Sequence, residues 1–433
     1  MFAPLRYVLR RVVRHGRLSI VDAAGTPWHF GPLAAVGAAE PQTSGEPRVV
    51  ARLADRATER ALARDPYLVL GEAYMDGRLT MLEGSIYDLL ALVMRGVEGV
   101  SMPRWVAGLE QLRRGTRRIA QYNPSDRSRR NVQHHYDIDG SIYDLFLDAD
   151  RQYSCAYFPA GPEGAAVGLE EAQLLKKRHI AAKLAIEPGH RLLDIGSGWG
   201  GLALYLAGTC DADVTGVTLS SEQIGIARQR SAASGLANAA RFELIDYREV
   251  QGRFDRIVSI GMFEHVGINH YQAFFEKVAA LLDSDGVALI HSIGRSDGPG
   301  HTNRFIEKYI FPGGYFPALS EVMPAVERAG LIVADVEILR LQYAETLKAW
   351  RERFMAARDK AVALRGEAFA RMWEFYLAAS EAAFRHQGLV VFQLQLVRRI
   401  DTLPITRDYI AAAEQRLAER ERGERPARRI AGE

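Results

Sequence analysis

The chain of 433 residues is poor in the features that mark several common protein classes. Its only cysteines are Cys155 and Cys210, too few for a disulfide framework or a four-thiolate zinc site, and this favours a reducing compartment. No run approaches the roughly 18 consecutive apolar residues that indicate a transmembrane helix. Basic residues number 55 and acidic residues 53, so the net charge does not suggest nucleic-acid binding. The remaining expectation is a globular protein of two or three domains.

Residues 1–15 lack the continuous apolar core and the small-residue cleavage site of a secretory signal. They have the pattern of a basic amphipathic helix that carries Arg6, Arg10, Arg11 and Arg14. Contact with anionic lipid would be worth about 1 kcal/mol per arginine. The sum would give only about millimolar attachment. A solvated helix face is the alternative interpretation of such a charge run.

The first part of the chain predicts a small α+β domain over residues 1–110. Residues 17–31 have the alternation of a β-hairpin, and residues 50–110 have a helical pattern interrupted by turn signals. The Arg-rich segment 111–130 is interpreted as a basic linker. We assign membrane contact or dimerisation to the small domain as a hypothesis, which deletion of residues 1–110 would test.

Residues 131–415 are expected to form the main domain, because short apolar runs alternate with longer helical stretches. Such alternation predicts a parallel, doubly wound sheet. Strands are predicted at 191–195, 213–217, 240–245, 255–260, 286–291 and 389–397. Helices are predicted at 200–208, 221–234, 268–283 and near 344–384. Residues 416–433 are interpreted as a charged tail that frays or is disordered.

A glycine-rich turn follows the first of these strands. The segment Leu192–Gly201 runs from an apolar strand into glycines and then into a helix, where glycine allows a tight turn and close approach of a ligand. The spacing fits the dinucleotide fingerprint only loosely, and a glycine turn without a ligand is the structural alternative. Asp194 lies inside the strand, where a carboxylate suits a ligand with an amine and would repel a pyrophosphate. The pattern Asp-x-Gly-x-Gly-x-Gly resembles that of Rossmann-like S-adenosylmethionine methyltransferases.

Several further segments occur in an order that resembles one family. They are Tyr136-Asp137, Tyr153–Phe158, Val217–Gln223, Gly261–Gly267, His291–Gly294, Lys308–Tyr315 and Tyr343–Trp350. Over residues 125–400 the chain resembles the cyclopropane-fatty-acyl-phospholipid synthases and their mycolic acid methyltransferase relatives. The resemblance implies an α/β fold, a Rossmann-like class I methyltransferase sheet with helical lid insertions.

The resemblance also implies which residues bind S-adenosylmethionine. Tyr153 and Ser154 would close over the cofactor, and Asp194, Gly196 and Gly198 would hold its methionine end. Thr218, Leu219 and Gln223 would lie near its ribose. Tyr247 and Arg248 would flank its adenine, with Asp246 for the adenine amino group.

A bound bicarbonate ion is the base that the resemblance implies. Its holders would be Cys155, Glu264, His291 and Tyr343, with the backbone of Ile293. Methyl transfer to an isolated alkene leaves a carbocation, and a small oxyanion in a dry site can then take the proton whose loss closes a ring. Thiol, imidazole and phenol groups can donate hydrogen bonds to such an anion.

Each of these four residues also has a structural alternative. Cys155 suits a small buried hydrophobe or, less well, a nucleophile paired with histidine. Glu264 suits a helix start, His291 a polar residue at a sheet edge, and Tyr343 plain core. Two positions depart from many relatives: Gln342 replaces a histidine, and Ser380 replaces a cysteine. No metal is expected, because the adjacent His134 and His135 would not share one face of a helix or strand.

The sequence therefore predicts a cytoplasmic enzyme, peripherally associated with the inner face of the membrane. It would methylenate cis double bonds in phospholipid acyl chains with S-adenosylmethionine and bicarbonate, and form cyclopropane rings. A methyl-branched or methylene product is one alternative, and an inactive lipid-binding homologue is another. A homodimer is possible, and no nucleic-acid partner is expected.

Overall fold

The computed structural model describes residues 1–32, 48–97, 140–159 and 167–423. The predicted basic linker at 111–130 lies outside these residues, as do His134-His135 and the Tyr136-Asp137 segment. Within the described ranges no helix is both long and apolar enough to cross a membrane.

Residues 1–97 contribute a small sheet and four described helices. Its strand order is β2-β1-β3-β4, with β1 and β3 parallel and the other two pairs antiparallel. In chain order the elements are α1 (Ala3–Val12), β1 (Arg17–Val21), β2 (Pro27–Phe30), β3 (Arg48–Leu53), α2 (Arg56–Arg64), α3 (Pro66–Met75), β4 (Leu79–Glu83) and α4 (Ile86–Val97).

The hairpin predicted at 17–31 is confirmed by β1 and β2. The purely helical prediction for 50–110 is wrong at β3 and β4. Val49, Ala51 and Leu53 alternate with more exposed residues in β3, so one face of this strand is buried. A strand of this length that lies close to a helix in the chain is hard to distinguish from a helix end.

The main domain has a seven-stranded sheet in the order β10-β11-β9-β8-β5-β6-β7. Its strands are β5 (Arg191–Ile195), β6 (Asp213–Thr218), β7 (Ala240–Leu244), β8 (Phe254–Ile260), β9 (Leu282–Arg295), β10 (Ile332–Leu339) and β11 (Leu389–Val397). The described helices are α5 (Gly140–Tyr143), α6 (Leu169–Lys183), α7 (Gly201–Cys210), α8 (Ser221–Ala233), α9 (Tyr271–Leu281), α10 (Arg304–Tyr309), α11 (Leu319–Arg328), α12 (Gln342–Ala356), α13 (Arg358–Arg365), α14 (Glu367–His386) and α15 (Asp408–Glu421).

Five neighbouring strands of this sheet are parallel, as predicted, and the Rossmann-like class is confirmed. The sheet is nevertheless mixed, because β11 runs antiparallel to both β9 and β10. The sequence analysis missed β10. This edge strand keeps only Leu339 fully buried and includes Asp335 and Glu337, so it lacks the apolar run that revealed the inner strands.

The helix α15 continues through residue 416, where the sequence analysis begins the charged tail. It packs against α6 and is tied to it by the ion pair of Arg178 with Glu421. The ordered chain therefore extends at least to residue 423.

The helices of the N-terminal part and those of the main domain share one buried core. α3 and α4 both pack on α14. A Cβ atom at Gly71 in α3 would lie 2.3 Å from the ring of Phe305 and 2.8 Å from that of Phe375, so only glycine permits this approach. The resulting contact layer forms one side of the functional site.

Candidate functional site

A cavity of about 170 Å³ lies at the carboxyl ends of β5, β6, β7 and β8, the edge where open α/β sheets bind ligands. We call it the cofactor cavity. All eleven residues that the resemblance assigns to the cofactor line it: Tyr153, Ser154, Asp194, Gly196, Gly198, Thr218, Leu219, Gln223, Asp246, Tyr247 and Arg248.

The glycine turn has the backbone that the sequence pattern requires. Gly196 and Gly198 have φ values of +87° and +55°, a region that favours glycine. A Cβ at Gly196 would lie 2.9 Å from that of Met262, which would close the cavity at this point. The turn leads into α7, whose N-terminal end can favour an anionic group such as a carboxylate.

Asp194 is the buried carboxylate of the cofactor cavity. It is 2% exposed, and its Oδ2 atom has no hydrogen-bond partner among the described residues. Burial raises its pKa to about 7. An unpartnered buried acceptor is costly unless a ligand donates to it, so the site fits an ammonium group.

The opposite end of the cofactor cavity is more fully paired. The Arg248 guanidinium donates to both carboxylate oxygens of Asp246, at 2.8 and 2.6 Å. The Tyr247 ring packs edge-on against Phe274. Any adenine amino group would therefore share Asp246 with Arg248, whereas Tyr247 offers an apolar surface.

A second, larger cavity of about 760 Å³ is predominantly apolar, and we call it the apolar cavity. An aromatic wall stands between the two. Tyr153 lines the cofactor cavity, Tyr376 and Phe311 line the apolar one, and the hydroxyl oxygens of Tyr153 and Tyr376 are 2.9 Å apart. The rings of Tyr153 and Phe311 stack at 6.5 Å.

Glu264 follows β8 and meets the neighbouring strand β9. Its Oε1 accepts a hydrogen bond of 2.7 Å from the Ile293 amide, and its buried Oε2 has no hydrogen-bond partner in the described part of the chain. Burial raises the pKa of Glu264 to about 7. The carboxyl group is therefore poised to change protonation near neutral pH.

His291 lies on β9, opposite Ile260 of β8 and Gln393 of β11. Its Nδ1 lies 3.2 Å from the Gln393 side-chain amide nitrogen, and burial lowers its pKa to about 3. The imidazole is neutral at neutral pH. An amide nitrogen can only donate, so this contact assigns Nδ1 as the acceptor. The ring proton is then on Nε2, which is a donor.

The backbone that follows Cys155 is hydrogen-bonded to α12, the helix that carries Tyr343. The Ala156 amide donates to the Thr346 hydroxyl at 3.0 Å, and the Gln342 side chain bonds both backbone groups of Phe158, at 2.6 and 3.1 Å. Burial raises the pKa of Cys155 to about 12, so it remains a thiol. Tyr343 lines the apolar cavity beside Ile293. The glutamine that departs from many relatives therefore anchors the Cys155 segment.

Comparison with known proteins identifies the family of this chain. Residues 123–394 match the family described as mycolic acid cyclopropane synthetase. This chain belongs to that family. It is 36% identical over 409 residues to tuberculostearic acid methyltransferase UfaA1 of Mycobacterium tuberculosis, covering 90% of each chain. It is 36% identical over 339 residues to the cyclopropane-fatty-acyl-phospholipid synthase of Escherichia coli K12, covering 77% of this chain and 84% of the relative.

Comparison with a solved structure points to the same family and also to the cofactor. Mycolic acid cyclopropane synthase CmaA1, complexed with S-adenosylhomocysteine and CTAB, superposes with a TM-score of 0.58 at 34% identity. The match covers 64% of this chain and 99% of that structure. The protein is therefore an S-adenosylmethionine-dependent methyltransferase, as the sequence analysis predicted.

The residues of this methyltransferase fit a small oxyanion only in part. His291 can donate from Nε2, and the unpartnered oxygen of Glu264 can accept from an ion that carries a hydroxyl. The Cys155 thiol already donates to the carbonyl oxygen of Ala156 at 3.3 Å. Tyr343 lines the apolar cavity, whereas Cys155, Glu264 and His291 line neither of the two cavities. The Ile293 amide, which the resemblance gave to bicarbonate, instead donates to Glu264. No group of three or more His, Cys, Asp or Glu residues in the described ranges could hold a metal ion.

Sequence reasoning missed Lys176 in the wall of the cofactor cavity. Its Nζ donates to the side chains of Gln152 and Ser154, at 2.6 and 2.9 Å, and burial lowers its pKa to about 8. A signal was present, because Lys176 occupies the buried face of α6 with Gln173 and Ile180, at helical spacing. A lysine on such a face needs a polar partner.

Proposed function

We propose that this methyltransferase adds a methylene group to a cis double bond in a phospholipid acyl chain and produces a cyclopropane ring. One observation carries the proposal. An aromatic wall separates the cofactor cavity, which has both polar and apolar lining, from a large and predominantly apolar cavity, and Ile293, the hydrogen-bond partner of Glu264, lines the apolar side. An acyl chain would bring its alkene to that wall.

The cofactor supplies the methyl group as an electrophile bound to sulfur. The protein contributes position, because its apolar cavity would hold the alkene in line and exclude water. Attack by the alkene π electrons breaks the sulfur–methyl bond and leaves positive charge on the chain. The faces of Tyr153, Tyr376 and Phe311 can stabilise that charge by roughly 0.5–2 kcal/mol per well-placed ring.

Ring closure requires loss of one proton from the transferred methyl group, whose C–H electron pair then forms the new C–C bond. Cys155, His291 and Tyr343 would hold bicarbonate, and that ion would supply a general base. Glu264 would orient the ion through its free oxygen while Ile293 fixes the other oxygen. General-base catalysis of this kind contributes about 10²–10⁴-fold in rate.

A methyl-branched or methylene product is the second candidate. The relative that matches 90% of this chain is named as a tuberculostearic acid methyltransferase. The use of the Ile293 amide by Glu264 also removes one donor from the site expected for bicarbonate. In this variant of the proposal, methyl transfer would proceed as before, and the cation would lose a proton without closing a ring, which gives a methylene product. A saturated methyl branch would in addition require a hydride donor of the nicotinamide or flavin class.

Expression in a bacterium that lacks its own synthase tests the function. Fatty acid methyl esters from cells with the wild-type protein should gain one CH₂ on monounsaturated chains, with ring-specific fragmentation. Glu264→Gln should lose this product, whereas Glu352→Gln, a change at an exposed carboxylate of α12, should keep it. A gain of CH₂ without a ring, for a methylene product, or of CH₄, for a saturated methyl branch, favours the second candidate. Unchanged lipids with soluble, cofactor-binding protein contradict both.

We further propose peripheral attachment to the anionic inner face of the membrane through α1. Leu5 and Val12 of this helix are buried, while Arg10, Arg11 and Arg14 are exposed, so its lipid contact would be electrostatic. At about 1 kcal/mol per arginine, replacing all three with alanine should weaken binding to anionic vesicles about hundredfold. Neutral vesicles are the control, and unchanged binding to anionic vesicles would contradict the proposal. The homodimer stays a prediction.

A further inference from the structure

Much of the wall of the apolar cavity comes from the N-terminal part of the chain. Val8 and Leu9 of α1 line it together with Leu90, Val93 and Met94 of α4. These helices lie outside residues 123–394, the segment that matches the family. We call these five residues the distal wall.

The two ends of the apolar cavity differ in polarity. Around the distal wall the lining is apolar. Leu18, Leu79 and Leu90 are each at most 2% exposed, and the other four residues of the distal wall are half-buried. Where β9 ends and β11 begins, the lining is polar and partly or fully exposed, with Ser296, Asp297, His301, Asn303 and His386. An amphipathic ligand would place its polar part at the second end and its hydrocarbon end at the first.

The distal wall is fixed rather than loosely placed. A Cβ atom at Gly96 would lie 1.6 Å from the carbonyl oxygen of Val12, so α1 and α4 cross at backbone contact. The Arg351 guanidinium stacks 4.4 Å over the Tyr87 ring, and Glu72 accepts from Lys308 at 2.7 Å. These contacts join the N-terminal helices to the helices of the main domain, so a ligand would meet a wall of defined position.

We propose that α1 and α4 close the apolar cavity around the methyl end of the acyl chain and set how many carbons are accepted beyond the double bond. This inference rests on the proposed function. Each buried methylene contributes about 0.8 kcal/mol, which corresponds to about fourfold in affinity. A wall that admits or rejects two methylenes would therefore discriminate about 15-fold between octadecenoyl and hexadecenoyl chains.

The test compares two phospholipids with the purified full-length protein. Their octadecenoyl and hexadecenoyl chains carry the double bond at the same carbon counted from the carboxyl group, so they differ only in the two carbons beyond it. Val93→Phe and Leu9→Phe fill the distal wall and should lower kcat/KM for the octadecenoyl lipid about tenfold relative to the hexadecenoyl lipid. Leu92→Phe is the matched control on the same helix, because Leu92 is half-buried and does not line the cavity. It should leave the ratio unchanged.

Equilibrium binding separates this inference from the proposed function. Displacement of a fluorescent fatty acid by octadecenoate and hexadecenoate measures the same preference without turnover. An equal effect of the filling variants on both chain lengths, in turnover and in binding, would overturn the inference. If wild-type protein binds the chains with length preference yet modifies neither lipid, the proposed function fails and the distal wall stands. Thermal unfolding shows that each variant is folded.

Discussion

The cofactor cavity and the apolar cavity are built in different ways. Most of the first comes from the strand ends and turns of one sheet, with further residues from segment 151–154 and from Lys176 of α6. The second is assembled largely from helices of the N-terminal part and from α10, α12 and α14, which are far apart in the chain. Sheet topology places most groups of the first, whereas packing between helices creates most of the second.

This difference teaches where each property of the enzyme is encoded. On the proposed function, cofactor binding would depend on short motifs such as Leu192–Gly201, whose backbone a few glycines dictate. The choice of acceptor would depend on distributed apolar contacts, in which no single residue carries a signature. Substitutions in the two cavities should therefore change different measured quantities.

The largest effect is expected from Asp194→Asn. Loss of the buried carboxylate removes a charge-assisted hydrogen bond to the cofactor ammonium, worth about 1.5–3 kcal/mol. Affinity for S-adenosylhomocysteine, measured by calorimetry, should fall about 10–100-fold. Binding of a fatty acid probe should be unchanged, as should both affinities in the exposed control Asp283→Asn. Equal losses for both ligands would show that the two cavities are not independent.

Cofactor affinity should also depend on pH in a predictable direction. The pKa of Asp194 in the free protein is raised to about 7 by burial, and only the carboxylate form pairs with an ammonium. The pKa of Lys176 is about 8, so its ammonium group remains charged below pH 7, where Asp194 becomes protonated. Below about pH 7 the affinity for S-adenosylhomocysteine should therefore decrease as the pH falls, and the decrease should approach tenfold per pH unit. A flat profile from pH 5 to 7 would contradict the assignment to Asp194, and the fatty acid probe serves as the control.

A smaller effect is expected at the wall between the cavities. Tyr376→Phe removes the partner of the Tyr153 hydroxyl, a bond worth about 0.5–1.5 kcal/mol. Turnover should fall about two- to tenfold, which is that free energy expressed as a ratio of rates. Affinity for S-adenosylhomocysteine should stay within about twofold. Tyr309→Phe removes a hydroxyl that bonds Glu72 away from the wall and is the matched control. Loss of cofactor affinity in Tyr376→Phe would show that the wall belongs to the cofactor cavity.

The smallest effect on either cavity is expected from His179→Ala. Its ring nitrogens lie 2.8 Å from Glu337 and 2.7 Å from Glu414, and these hydrogen bonds raise its pKa although burial lowers it. The stabilisation is therefore fully present at low pH and is lost as the pH rises through the raised pKa. At pH 6 the variant should lose about 1–3 kcal/mol of unfolding free energy with unchanged ligand affinities. A changed cofactor affinity would contradict this separation.

The sequence predicted the cofactor cavity better than the apolar one, for a physical reason. The glycines and Asp194 act through local backbone geometry, so their pattern is visible in a short window. The distal wall depends on how α1 and α4 cross and pack, which no local pattern specifies. Similarly, β10 was missed because an exposed edge strand carries little hydrophobic signal, and Lys176 because its partners lie about 20 residues away in the chain.

The assignment of Glu264, His291, Cys155 and Tyr343 to proton removal stays a prediction. The central claim on which it depends is that a proton is lost as a ring closes. The most direct test of that claim supplies purified protein with S-adenosylmethionine that carries a CD₃ group and with vesicles of an unsaturated phospholipid. The account predicts a product that retains a CD₂ unit in a ring, because one deuteron leaves as the ring closes. A product that keeps the whole CD₃ group as a methyl branch would contradict the central claim.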